Sequence, residues 1–115
     1  MGQAQKKEAA KEASLMNKLQ HQYIVEFIDA FQAENKLNII MEFCENGDLG
    51  ILLKKQMGWH LPEKQIWRFF IEMCLGIQYL HANRILHRDI KTINMFLAKN
   101  DTIKIGDLGV AKELN

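Results

Sequence analysis

A chain of 115 residues that is 48% hydrophobic and 25% charged has the composition of an ordinary folded domain, with room for one such unit or part of one. With 15 Lys and Arg against 14 Asp and Glu, it offers no charge excess for a nucleic-acid backbone or an anionic membrane, which argues against both as partners. Cys44 and Cys74 show neither CxxC spacing nor the density of a disulfide scaffold, so they read as free thiols in a reducing compartment.

Along residues 5–19 strong helix formers set Ala9, Ala13, Met16 and Leu19 on one face with lysines opposite, which predicts an amphipathic helix. This segment has no apolar stretch of the secretory type, and no run in the chain approaches the ~18 apolar residues of a membrane span. Residues 23–31 and 37–43 read as strands, and the polar stretch 32–36 between them predicts an antiparallel hairpin. Glu45-Asn46-Gly47-Asp48 breaks the second strand. A short helix over about 49–56 follows, stopped by Gly58, and Pro62 suits the first position of another. In that second helix Ile66, Phe69, Phe70, Met73, Cys74, Ile77 and Leu80 recur at helical spacing, which predicts the core face. Beyond Asn83, residues 84–86, 94–97 and 102–105 read as short strands, the last two split by Lys99-Asn100-Asp101.

The chemistry lies in His87-Arg88-Asp89-Ile90-Lys91-Thr92-Ile93-Asn94, followed by Asp107-Leu108-Gly109. Fixing His, Arg, Asp, Lys, Asn, Asp and Gly at ~5% each makes a chance match roughly 10⁻⁹ per start site. The stretch resembles the catalytic loop and metal-binding turn of eukaryotic-type Ser/Thr protein kinases, with Ile90 for Leu and Leu108 for Phe. That resemblance implies transfer of the ATP γ-phosphate to a Ser or Thr hydroxyl of a protein substrate. Asp89 would take the hydroxyl proton, Lys91 would neutralise charge on the moving phosphoryl, and Asn94 and Asp107 would offer oxygens to Mg²⁺. His87 would be structural, holding Asp89. His21, His60 and His81 fit no zinc spacing and read as surface or capping residues.

Upstream, the resemblance implies a nucleotide site. It puts Met41 at the gatekeeper, Glu42-Phe43-Cys44 at the hinge whose backbone meets adenine, Asp48 at the ribose, and Leu49 and Phe96 against the adenine ring. Glu12 falls at the glutamate of the family's αC helix, and Met16, Phe27, His87 and Leu108 on its regulatory spine. The implied fold is α+β, a partial protein-kinase-like fold: αC, the hairpin before the hinge, the hinge, αD, αE, the catalytic loop and the start of the activation segment. An N-lobe remnant would occupy about 5–43, the hinge about 42–48 and part of the C-lobe 49–115. Lys91-Thr92-Ile93-Asn94, Gly106-Asp107-Leu108-Gly109 and Leu80-His81-Ala82-Asn83-Arg84-Ile85-Leu86-His87 are similar to the NimA-related kinases, a likeness that implies a cytoplasmic protein associated with the cilium or centrosome.

No GxGxxG precedes Glu12, no Val-Ala-Ile-Lys strand occurs, and no Ala-Pro-Glu follows Asp107. The expectation is therefore a fragment inactive on its own, exposing apolar surface, with a partner protein covering the incomplete N-lobe. The alternative is a non-catalytic kinase-like protein that binds nucleotide weakly or docks on partner proteins.

Overall fold

The computed structural model describes residues 7, 10, 11, 14, 15, 17–106 and 111–113. Glu12, Met16, Asp107, Leu108 and Gly109 lie outside the described residues. Residues 7, 10, 11, 14, 15 and 17 are helical, and the chain has left the helix by Leu19, which is buried.

Strands β1 (Phe27–Ala33) and β2 (Lys36–Met41) form the hairpin, tighter than the sequence suggests. Ladder pairing runs out to Ala33 and Lys36, leaving Glu34 and Asn35 as the turn, with φ of 54° and 61°. Two successive left-handed residues match the twist of the flanking strands, which is why two residues suffice. Tyr23–Val25 does not extend β1. Ile24 instead bridges in parallel to Ile105, with the Val25 N–H donating to the Ile105 carbonyl and the Ile105 N–H to the Tyr23 carbonyl, both at 2.9 Å.

Helix α1 (Leu49–Lys55) begins on Asp48, whose carboxylate accepts the Ile51 N–H at 2.9 Å, and it ends with Lys54 and Lys55 beside the negative end of the helix dipole. Met57 and Gly58, at φ 48° and 91°, turn the chain away. Helix α2 (Glu63–Ala82) follows. Pro62 caps this helix from outside rather than starting it, its carbonyl accepting from the Gln65 and Ile66 N–H groups.

The core face of α2 keeps Phe69, Met73, Ile77 and Leu80 of the stripe that periodicity suggests and is rotated away from Ile66, Phe70 and Cys74. Phe69, Glu72, Gly76 and Leu80 are buried, with Met73 and Ile77 partly so, whereas Ile66 and Phe70 are 48% and 53% exposed and Cys74 is exposed. Gly76 sets the phase: a Cβ there would stand 2.7 Å from Ile105 Cδ1 and 3.1 Å from the Tyr23 carbonyl, so only the glycine face admits the next strand so closely.

Four short strands complete the frame among the described residues. β3 (Ile85–Leu86) pairs with β6 (Lys112–Glu113), a partner that a mixed Ala-Lys-Glu sequence does not signal. β4 (Met95–Leu97) and β5 (Ile103–Ile105) are antiparallel, joined through a 3₁₀ turn Lys99–Asp101 with Asn100 and Asp101 at φ 62° and 55°. Among the described residues the strands make three two-stranded sheets. Leu80, Ile85, Met95, Leu97, Ile103 and Ile105 are the largest fully buried side chains, so the core lies between α2 and the β4–β5 pair. Among the described residues no helix is long and apolar enough to cross a membrane.

Candidate functional site

A cavity of about 510 Å³ opens between the chain leaving β2 and the β4–β5 pair, within the size range of small-molecule sites. Met41, Glu42, Phe43, Cys44, Gly47 and Asp48 form one wall; Val25, Asn94, Phe96 and Gly106 form the other.

The first wall is fixed by bonds to neighbouring segments. The Glu42 carboxylate accepts the Glu26 N–H at 2.8 Å and pairs with Lys104 Nζ at 3.5 Å, while the Glu42 N–H donates to the Glu26 carbonyl at 2.9 Å. Asn46 and Gly47 pair with Leu97 in both directions, and Gly47 adopts φ 75°, which a Cβ would oppose. The Asn46 amide also donates to the Ala98 carbonyl and to Asp101 Oδ1, each at 3.1 Å. Cys44 lines the cavity, and among the described residues its N–H has no acceptor. Burial, with the Glu42 carboxylate, pushes the half-buried Cys44 thiol up from its ordinary pKa, against an opposing pull from Lys104; it is a poor nucleophile.

The loop over residues 87–94 is organised by His87, which is 4% exposed. The Asp89 N–H donates to His87 Nδ1 at 3.1 Å, so the ring proton belongs on Nε2, which lies 2.7 Å from the Gly106 carbonyl. Arg88, at φ 70°, reverses the chain between the two. Asn94, also buried, donates from Nδ2 to the Asp89 carbonyl at 2.8 Å and to Asp89 Oδ2 at 3.2 Å, and the Gly106 N–H donates to the Asn94 carbonyl at 3.0 Å. Lys91 Nζ stands 3.5 Å from Asp89 Oδ1, with the Lys91 side chain half exposed.

Met41, Glu42, Cys44, Asp48, Asn94 and Phe96 thus line one cavity, and Asp89 and Lys91 join it through Asn94. Asp107 lies outside the described residues. Asp48 also caps α1 through Oδ1. Leu49 does not line the cavity, because as the first residue of α1 it turns into the core, where it is 6% exposed. Phe27 packs against the core in part. Phe43, expected there as the middle residue of the hinge, lines the site as well, and Val25, Gly47 and Gly106 line it without having been singled out for it; the adjacency of Gly106 to the Asp-Leu-Gly turn was the available signal. The donor set suits a hard cation. Asn94 commits its Nδ2 to Asp89, and its Oδ1 accepts no hydrogen bond among the described residues.

The protein kinase domain family model matches residues 1–115. The chain is 47% identical over 105 residues to the serine/threonine-protein kinase Nek3 of Mus musculus, an alignment covering 91% of this chain and 20% of that protein. It is 43% identical over 111 residues to Nek4 of Mus musculus, covering 96% and 14%, and 47% identical over 105 residues to Nek11 of Homo sapiens, covering 90% and 16%. The chain spans a fifth or less of the length of these relatives.

Proposed function

The chain belongs to the protein kinase domain family, and on that premise we propose that it supplies the adenine-binding wall and catalytic loop of a NimA-related Ser/Thr protein kinase. The observation that carries this reading is the joining of Asp89, Lys91 and Asn94 beside a cavity that Cys44 also lines, its N–H without an acceptor among the described residues. A purine would lie between Phe96 and the wall at Met41, Glu42 and Cys44, its ring edge meeting the Cys44 N–H. Its ribose would lie toward Asp48.

Asp89 would accept the proton of a Ser or Thr hydroxyl as that oxygen bonds to the γ-phosphorus and the bond to the β–γ bridging oxygen breaks, releasing ADP. Asn94, with both its Nδ2 bonds on Asp89, holds the carboxylate in one orientation. The Lys91–Asp89 pair is exposed enough to be worth little, so Lys91 is free to turn to an incoming phosphate. Asn94 Oδ1 and Asp107 would hold Mg²⁺, which when bound would offset charge on the phosphates. Free Cys44 and Cys74 support a cytoplasmic setting; the cilium or centrosome enters through the family likeness.

Isothermal titration of this chain with Mg·ATP is the direct test, followed by transfer of labelled phosphate to a Ser/Thr-rich protein. Binding that needs Mg²⁺ is expected. Asp89→Asn should retain it while lowering any transfer by about 10²–10⁴-fold. No binding at millimolar Mg·ATP would sink the reading.

A further inference from the structure

Glu72 is a carboxylate only 8% exposed in the middle of α2, and the proposed chemistry does not use it. A buried charge is tolerated only when its oxygens are bonded. Glu72 Oε1 accepts the Ile103 N–H at 3.0 Å, and Oε2 lies 3.4 Å from Arg68 Nη1, one helical turn earlier. The same Arg68 nitrogen donates to the Asp101 carbonyl at 3.2 Å. One pair on α2 therefore grips β5 at its first residue and the turn just before it.

The grip matters because of where β5 leads. One edge of this three-residue strand is taken by β4, and the other is bonded at Ile105 to Tyr23 and Val25. At Ile103, which is fully buried, the partner on that second edge is the Glu72 side chain. The strand runs directly into Gly106, whose carbonyl receives His87 Nε2 and whose N–H holds Asn94. His87 and Asn94 in turn fix the Asp89 backbone and carboxylate. With three residues there is no length over which a displacement at Ile103 can relax before reaching Gly106.

We propose that Glu72 is a positioning residue: it sets the height of β5 against α2, and through Gly106 and His87 the place of Asp89. What that position serves rests on the kinase reading; the mechanical link does not. The Ile103 hydrogen bond carries the effect, so an amide, which keeps the acceptor oxygen, should replace the carboxylate where an apolar side chain cannot.

The test compares wild-type chain with Glu72→Gln and Glu72→Leu by NMR, following the downfield His87 Nε2–H resonance and amide exchange at Ile103. In Glu72→Leu the His87 signal should shift and exchange faster, with Ile103 exchange accelerated about tenfold or more. Glu72→Gln should return both toward wild type. An unmoved His87 signal in Glu72→Leu, with Ile103 exchange raised, would reduce Glu72 to an anchor for α2. A Glu72→Gln signal as displaced as that of the leucine variant would also overturn the proposal, since the hydrogen bond would then not transmit. Should Glu72→Leu not fold, Arg68→Met decides at a part-exposed position: a smaller shift of the His87 signal is expected, and none would count against the link. Mg·ATP titration of the wild-type chain is the separate arm. Its failure would remove the kinase reading while the His87 readout still judged Glu72.

Discussion

The His21 ring stacks on Tyr79 with centroids 4.7 Å apart, and its Nδ1 accepts the Tyr23 N–H at 3.1 Å. Tyr79 in turn takes the Gln20 N–H on its hydroxyl at 2.9 Å, so two residues clasp the segment before β1 to α2. Burial and the charge of Lys104 push the His21 pKa below its ordinary 6.5. The unfolded chain therefore binds the extra proton more readily, and the stabilisation, complete above the unfolded value, declines as pH falls below 6.5 toward the folded one. Thermal melts should show a loss of stability on acidification through this window that His21→Phe, which keeps the stack but cannot titrate, lacks. Gly106→Ala is a second test. Its Cβ would stand 2.5 Å from Phe96 Cε2 and 3.2 Å from Val25 Cγ2, so the ring must tilt into the cavity. ATP affinity by titration should fall about tenfold, close to 1.4 kcal/mol, in a chain that still folds. That Asp89 and Asn94 would stand together was legible, because the motif they resemble fixes those types at that spacing. Val25 was not, since an aliphatic residue on a cavity wall has the same signature as one in a core.

Among elements, the hairpin was legible and its turn was not. Two runs of strand-forming residues announced the strands, but Glu34-Asn35 is not the Asn-Gly that a two-residue turn favours. Glu34 occupies φ 54° without the short polar side chain that eases this region, so Glu34→Asn should raise stability by about 0.5–1 kcal/mol, read from denaturant melts with unchanged slope. Helix α2 was legible in extent but misjudged in phase. Apolar residues surround much of it, and periodicity alone cannot choose between two apolar faces. The choice was made by Gly76 and Glu72, a residue without a side chain and one with a charge, both invisible to a hydrophobic pattern. Gly76→Ala checks this. Helix propensity would favour alanine by about 1 kcal/mol, but crowding against Ile105 and the Tyr23 carbonyl should reverse the sign and lower the melting temperature.

At the scale of the molecule, a radius of gyration of 15.3 Å exceeds the ~13 Å of a compact domain of this length, and the hairpin exposes the apolar surface anticipated from the sequence at Ile28, Phe31 and Ile40. Trp67, Phe70, Ile71 and Leu75 on the outer face of α2 are 56%, 53%, 52% and 40% exposed. The 115-residue chain alone should self-associate with rising concentration in sedimentation velocity. Phe70→Lys with Ile71→Glu should suppress that without lowering the melting temperature, because neither side chain reaches the core. The parallel bridge from Ile24 to Ile105 carries a further consequence for synthesis. Ile24 leaves the ribosome long before its partner, and at ~5–20 residues per second the wait is roughly 4–16 s. For that interval Ile24 and Val25, buried in the finished chain, have nothing to pair with, which makes this segment a natural substrate for chaperones that hold nascent polypeptides.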